Sequence, residues 1–268
     1  MSNHIIQLAN DIRCNIQEKT AKHKKNVVDT QQFQEELKYL SDFSWDTIQT
    51  IRAISLYSTR AKHIYDKFLF IRTLDDLLQS IVGIKDLISN GIHNLVRREI
   101  RYLIEMSVKY LVVDQEKMGK NLNVKTQYLT DNIPNSSIDV VDRITTPFSP
   151  SFDKEFKDEI KDMFYKACAY VHPSQKQIEE QIDNYSKGVN IGFETSKMLT
   201  DINKVTFRAY DIILTLLFIG YGHFMSGDLF IELYDNDHKW KFHKGKYVKR
   251  YSELFDYKLE RQTQTNFR

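Results

Sequence analysis

Glycine and proline are scarce in this chain, nine and four residues in 268. With so few residues suited to tight turns, a many-stranded sandwich or barrel is disfavoured and long helices are expected. The spacing of apolar residues agrees. Residues 4–24 and 30–40 read as amphipathic helices joined by a polar stretch around Asn26 to Asp29, and Ser44 is placed to cap a further helix over 45–70. Thr73 followed by Asp76 repeats the logic of a capping box and opens the helix "LDDLLQSIVGIKDLIS", which "SNG" at 89–91 breaks or kinks.

From Ile92 to Val113 the chain is apolar at 92, 95, 96, 100, 103, 104 and 111, a wide stripe that marks a central helix. Three of the four prolines fall in "NIPNSSIDVVDRITTPFSPSF", so a long irregular connection is expected before a helix over 154–172. That helix places Phe156, Ile160, Met163, Phe164, Ala167, Cys168 and Val171 on one core face. A polar stretch over 176–187 and two glycines, Gly188 and Gly192, precede a last long helix over 193–225. Its apolar part, Ile212 to Met225, is shorter than the roughly 20 residues of a membrane span and follows Arg208 and Asp211, so it reads as core. The expected fold class is mainly all-α. It divides into an N-terminal helical appendage (1–43), a helical bundle core (44–226) and a basic, aromatic C-terminal appendage (227–268).

Thirty-eight Lys and Arg against 36 Asp and Glu leave a net charge of +2, so any attraction to nucleic acid must be local. Cys14 and Cys168 are far apart and fall within helical patterns, which points to free thiols in a reducing cytoplasm and away from a disulfide framework or thiolate metal site. The N-terminus has no continuous apolar run of the kind a secretory signal needs. Without a phosphate-cradling glycine loop, paired-histidine zinc motif, nucleophile elbow or Cys-x-x-Cys, a nucleotide-driven motor, a zinc hydrolase and an esterase are disfavoured. No cofactor, metal or membrane is expected.

Three constellations could carry chemistry. On the helix 92–113, Arg97, Arg101 and Glu105 recur every four residues, with Arg98 and Lys109 beside them, so one side is cationic and Arg101 can pair with Glu105. A solvated, charge-paired face gives the same pattern, but Val108 and Val112 on that side indicate that it becomes covered. In "YKACAYVHPS", Tyr165 and His172 are two turns apart, and Pro173 ends the helix at His172, near the negative end of the dipole. That position suits the imidazole to acid–base work or simply to capping. In "HKWKFHKGKYVKRY", Lys239, Lys241, Lys244, Lys246, Lys249 and Arg250 alternate with Trp240, Phe242 and Tyr247. A small hairpin of this composition would bind single-stranded RNA or DNA through phosphate contacts and stacking. The alternative is a hairpin whose aromatic residues pack on the helical domain.

The combination resembles a family of uncharacterised bacterial helical proteins with Leu-Arg-x-x-x-Glu on one helix and Tyr-x-x-x-Ser-x-x-x-His-Pro-Ser on another. Arg101 and Glu105 match the first motif. Tyr165, Ala169 in place of the serine, and His172 to Ser174 follow the second, with one residue fewer before the histidine. That family is similar to the HEPN (higher eukaryotes and prokaryotes nucleotide-binding) bundles, which include metal-independent ribonucleases of toxin, abortive-infection and phage-defence systems. The resemblance, over residues 75–225, implies a four- or five-helix bundle that dimerises. No histidine here follows an arginine at the HEPN spacing of four to six residues, so a ribonuclease would use His172 as the proton carrier, Arg101 for phosphorane charge and Glu105 to orient Arg101. The leading expectation is a non-catalytic or regulatory subunit that binds nucleic acid or a partner protein, and the ribonuclease is its alternative. In a third reading Arg101, Glu105, Tyr165 and His172 form a structural network between two helices.

Overall fold

A computed structural model describes residues 2–135, 137–171, 174–186, 194–255 and 257–258; His172 and Pro173 lie outside these. Helix α1 (Ser2–His23) passes through a π-helical turn (Lys24–Val28) into α2 (Gln31–Ser58), whose cap is Thr30, accepting from the Phe33 N–H at 3.4 Å. Burial of Phe33, Leu40, Phe43, Ile51 and Ile54 on one side makes α2 continuous for 28 residues. Ser44 is therefore not a cap but a buried residue inside α2, and a boundary at 43 cuts through a helix.

Two single-turn helices, α3 (Lys62–Tyr65) and α4 (Leu69–Arg72), lead to α5 (Leu74–Ser89). Thr73 sits at the start of α5 but its hydroxyl donates backwards to Leu69 and Phe70 carbonyls, so the expected capping box does not form. Gly91, at φ 69°, makes the reversal into α6 (His93–Glu116). The connection after α6 holds α7 (Leu122–Asn132) and a 3₁₀ turn (Asp139–Arg143), then α8 (Pro150–Cys168) begins with proline in its first turn. Next come α9 (Gln175–Ser186), α10 (Ser196–Tyr221), α11 (His223–Leu229) and α12 (Lys246–Ser252). There is no strand among the described residues.

The fold is an all-α bundle. Helices α6 and α10 pack on each other at its centre; α2 and α5 cover one flank, α8 lies against α6 and α12 against α10. Helix α10 is buried nearly all round from Ala209 to Phe218, as expected for a core helix, and no helix is long and apolar enough to cross a membrane among the described residues.

The described residues beyond Gly227 form no hairpin, and they pack into the bundle rather than standing apart from it. Phe230, Tyr234, Trp240, Phe242, Tyr247, Val248, Tyr251 and Phe255 belong to the same core as α2 and α10. The alternating pattern that reads as a strand instead serves a 3₁₀ turn (Lys241–Lys244) and α12, because tertiary burial of aromatic rings overrides local preference.

Two buried carboxylates on the central helices tie these short segments down. Asp114 of α6 accepts from the Leu69 and Phe70 N–H groups (2.8 and 2.9 Å), capping α4, and from Lys125 Nζ of α7 at 2.7 Å. Lys125, fully buried, also donates to the Lys67 carbonyl at 2.6 Å. Asp211 of α10 accepts from the Tyr247 and Val248 N–H groups (2.9 and 3.0 Å) and so caps α12. A Cβ on Gly245 would stand 2.2 Å from the Asp211 carboxylate, so only glycine fits there.

Two outcomes follow. Lys125→Met strands the Asp114 charge in the core and should cost about 3–5 kcal/mol in denaturant unfolding, whereas an ordinary surface lysine costs under about 1 kcal/mol. Burial raises Asp211 from 3.8 to about 6 against the backbone N–H groups that favour its charge. Between those values the unfolded chain releases the proton and the folded chain keeps it. Wild-type stability should therefore fall by roughly 3 kcal/mol relative to Asp211→Asn as pH rises from about 4 to 6, then level off. A stability difference constant over that range would contradict this assignment.

Candidate functional site

Helix α6 carries His93, Arg97, Arg101, Glu105 and Lys109 at successive steps of four. At 100° per residue this line winds slowly round the helix and crosses the end of α8. Arg101 Nη1 is 3.0 Å from Glu105 Oε2, its Nε is 3.2 Å from Cys168 Sγ, and its guanidinium lies 4.7 Å from the centre of the Phe164 ring. The other oxygen of Glu105 accepts from Lys109 Nζ at 2.5 Å, and Lys109 also donates to the Asn135 carbonyl at 3.0 Å. Glu105 thus bridges two cations in a half-buried setting.

Towards the N-terminus of α6 the same ridge holds the turn after α8. Arg98 Nε donates to the Tyr170 carbonyl, and Arg97 lies 4.4 Å above the Tyr170 ring while donating to Asn94 Oδ1 at 3.0 Å. The Tyr170 hydroxyl, pushed up to about 12 by burial, donates to Glu180 of α9 at 2.6 Å. At the head of the ridge His93 Nε2 meets Glu194 Oε2 at 2.7 Å, both side chains buried, and His23 Nε2 lies 2.9 Å from the Glu194 carbonyl. One helix therefore gathers the end of α1, the turn after α8 and the segment before α10.

Arg101 and Glu105 meet as the sequence leads one to expect, and Val108 and Val112 are fully buried. Tyr165 does not join them: half exposed, its hydroxyl is 3.3 Å from Asp139 Oδ1. Phe164 and Cys168 occupy the side of α8 that faces Arg101, and Tyr165 points about 100° away from Phe164. His172 falls outside the described residues. Helix α8 closes at Cys168, where Tyr170 N and Val171 N bond to the Ala167 and Cys168 carbonyls, and Ser174 Oγ caps α9 by accepting from Gln177 N at 3.1 Å. Both cysteines are free thiols. No group of three metal-ligating side chains is present among the described residues.

A cleft of about 260 Å³ opens beside Glu105 and Lys109, lined by Tyr102, Tyr110, Leu129 and Asn135. It is smaller than the roughly 300–1,000 Å³ of ligand pockets.

The basic C-terminal segment is also rearranged from expectation. Trp240, Phe242 and Tyr247 are 4%, 0% and 3% exposed, packed on Tyr234, Phe207 and Phe156, so they offer no stacking platform. Lys241 pairs with Asp42, Lys246 with Glu155 and Arg250 with Glu253. Lys239, Lys244 and Lys249 remain exposed, with no ion pair to a described residue.

Comparison with protein-family models, curated proteins and solved structures gave no match. The buried pairs His93–Glu194 and Lys125–Asp114 are absent from the sequence reading because each joins residues with no motif between them. The signal that was available is a polar residue on an apolar face: His93 begins the α6 stripe and Lys125 sits on the inner side of α7.

The geometry ranks the ridge residues. His93→Ala leaves Glu194 buried without its partner and should cost about 3 kcal/mol, whereas Arg101→Ala leaves Glu105 paired to Lys109 and should cost about 1 kcal/mol. Thermal unfolding of both variants measures this, and a larger loss for Arg101→Ala would contradict the ranking.

Proposed function

We propose that the protein is a non-catalytic helical subunit that acts by binding another protein chain. The observation that carries this reading is helix α9. Ile178, Ile182 and Tyr185 recur at steps of four and three along it and are 51%, 64% and 80% exposed. Glu180, bonded to Tyr170, turns the opposite side of the helix to the body, so the apolar line faces outward. A twelve-residue helix is marginal on its own, and in proteins such helices draw their stability from packing an apolar face. Nucleic acid is the less favoured partner, since the aromatic rings are buried and three of the six C-terminal cations are already paired. The phage-defence or toxin-type setting implied by the family resemblance suits such a subunit.

The test is affinity capture from the native cell with the full chain and with a variant carrying Ile178→Ser, Ile182→Ser and Tyr185→Ser. The wild type should enrich one or a few proteins at least about tenfold and the variant should lose them at unchanged melting temperature, as removal of anchor residues does. If both retain the same set while Lys239→Glu/Lys244→Glu/Lys249→Glu releases bound RNA, the reading fails in favour of a phosphate-contacting surface.

One observation favours a second reading, a metal-independent ribonuclease. Arg97 and Arg98 meet the turn after α8 and Arg101 meets the last residue of that helix, a cationic cluster suited to holding a phosphodiester a few residues in sequence from His172. In that reading His172→Ala removes cleavage of single-stranded RNA by about a hundredfold or more without lowering thermal stability. Absence of cleavage by the wild-type chain refutes it.

A further inference from the structure

The groove between α5 and α6 belongs neither to the polar ridge of α6 nor to α9. It encloses about 500 Å³ open to solvent, with Gly83 and Leu87 of α5 and Ile92 at the start of α6 along it. Gly83 stands in the interior of a 16-residue helix, where only proline is a poorer helix former than glycine. A Cβ on Gly83 would meet no atom within 4 Å, so no neighbour within the chain requires a glycine there. What glycine does at such a place is let another backbone approach closely. The charges along the groove are incomplete as well. Glu99 of α6 is half-buried, accepts from Ser80 Oγ of α5 at 3.1 Å and has no ion pair to a described residue. Asp76, two turns before Gly83 on the same side of α5, has none either, while Asp86 is 4.0 Å from Lys85 Nζ. Burial, together with the charges of Asp76 and Glu99, raises the Tyr102 hydroxyl above its ordinary value, so both carboxylates are felt at one place.

We infer that this groove receives a cationic amphipathic helix of a partner protein, its apolar edge over Gly83, Leu87 and Ile92 and its lysine or arginine side chains at Glu99 and Asp76. Two helices packed side by side present a channel in which the ridge of a third can seat, and a wall without a Cβ lets its axis come close. From Asp76 to Asn90 the α5 wall is about 21 Å long, room for a docked helix of about four turns. Charge selects the partner. A half-buried carboxylate without a cation is completed by one from outside, whereas an acidic helix or a phosphate backbone would be repelled. The groove is a second surface that shares no residue with the apolar line of α9, and the inference does not depend on that line.

Fluorescence anisotropy of the full chain with a labelled helical peptide of about four turns provides the test. The probe carries leucines along one edge and lysines beside them, and its counterpart has glutamate for every lysine. The wild type should bind the lysine peptide at least about tenfold more tightly than the counterpart, and less tightly as salt rises. Gly83→Leu should fill the groove and weaken binding at least about tenfold, with a melting temperature equal or higher, because leucine is the better helix former and its Cβ displaces nothing in the chain. Glu99→Lys should weaken the lysine peptide and strengthen its glutamate counterpart. The variant with Ile178→Ser, Ile182→Ser and Tyr185→Ser should bind the peptide as the wild type does, so a failure here is separate from a failure of the α9 reading. Binding that neither Gly83→Leu nor Glu99→Lys alters is charge attraction without a groove and would overturn the inference, as would a wild type that does not bind the lysine peptide. Displacement of the peptide by an equal concentration of spermine would give the groove to a small organic cation and overturn the helical occupant.

Discussion

A bundle whose central helices turn a carboxylate into the core can keep it there only if that carboxylate is fully bonded, since an unpaired buried charge costs several kcal/mol. Asp114 on α6 and Asp211 on α10 meet this constraint in the same way, by accepting backbone N–H groups at the start of a short helix. The requirement works in both directions. A one-turn helix such as α4, or a seven-residue helix such as α12, leaves its first N–H groups unbonded and gains its position from a carboxylate fixed in the core. The C-terminal segment is thereby drawn into the bundle, and its aromatic rings become core.

The same economy governs the polar ridge of α6. Nearly every cation on it has a defined partner on another element: Arg98 a turn carbonyl, Arg97 a tyrosine ring, Arg101 a thiol and an aromatic ring, Lys109 a loop carbonyl. Groups so occupied hold the turn after α8 and the start of α9 in place. They position the helix that presents Ile178, Ile182 and Tyr185, so the interior chemistry and the outward-facing surface belong to one construction.

Much of this was legible in the sequence. The shortage of glycine and proline and the threefold and fourfold spacing gave the all-α class, the core faces of α6, α8 and α10, the break at Gly91 and the Arg101–Glu105 pair. Three features were not legible, each for a physical reason. Helix α7 falls within the long connection expected before α8 and is not legible as a helix, because the side chain it buries is Lys125, which no hydrophobic pattern marks. The alternation around Trp240 imitates a strand, because residues on a 3₁₀ turn and a short helix bury aromatic rings on several sides at once. Tyr165 and Arg101 share no contact, because helical spacing fixes which residues share a side but not which side of α8 turns to α6.

The central claim is that the outward line of α9 is a contact surface for another chain, and hydrogen exchange of the full protein, alone and with the protein it captures, tests it most directly. Amides of residues 175–186 should become protected in the complex, while those of α6 and α10 stay equally protected throughout. Exchange in residues 175–186 that the captured protein leaves unchanged would contradict the account.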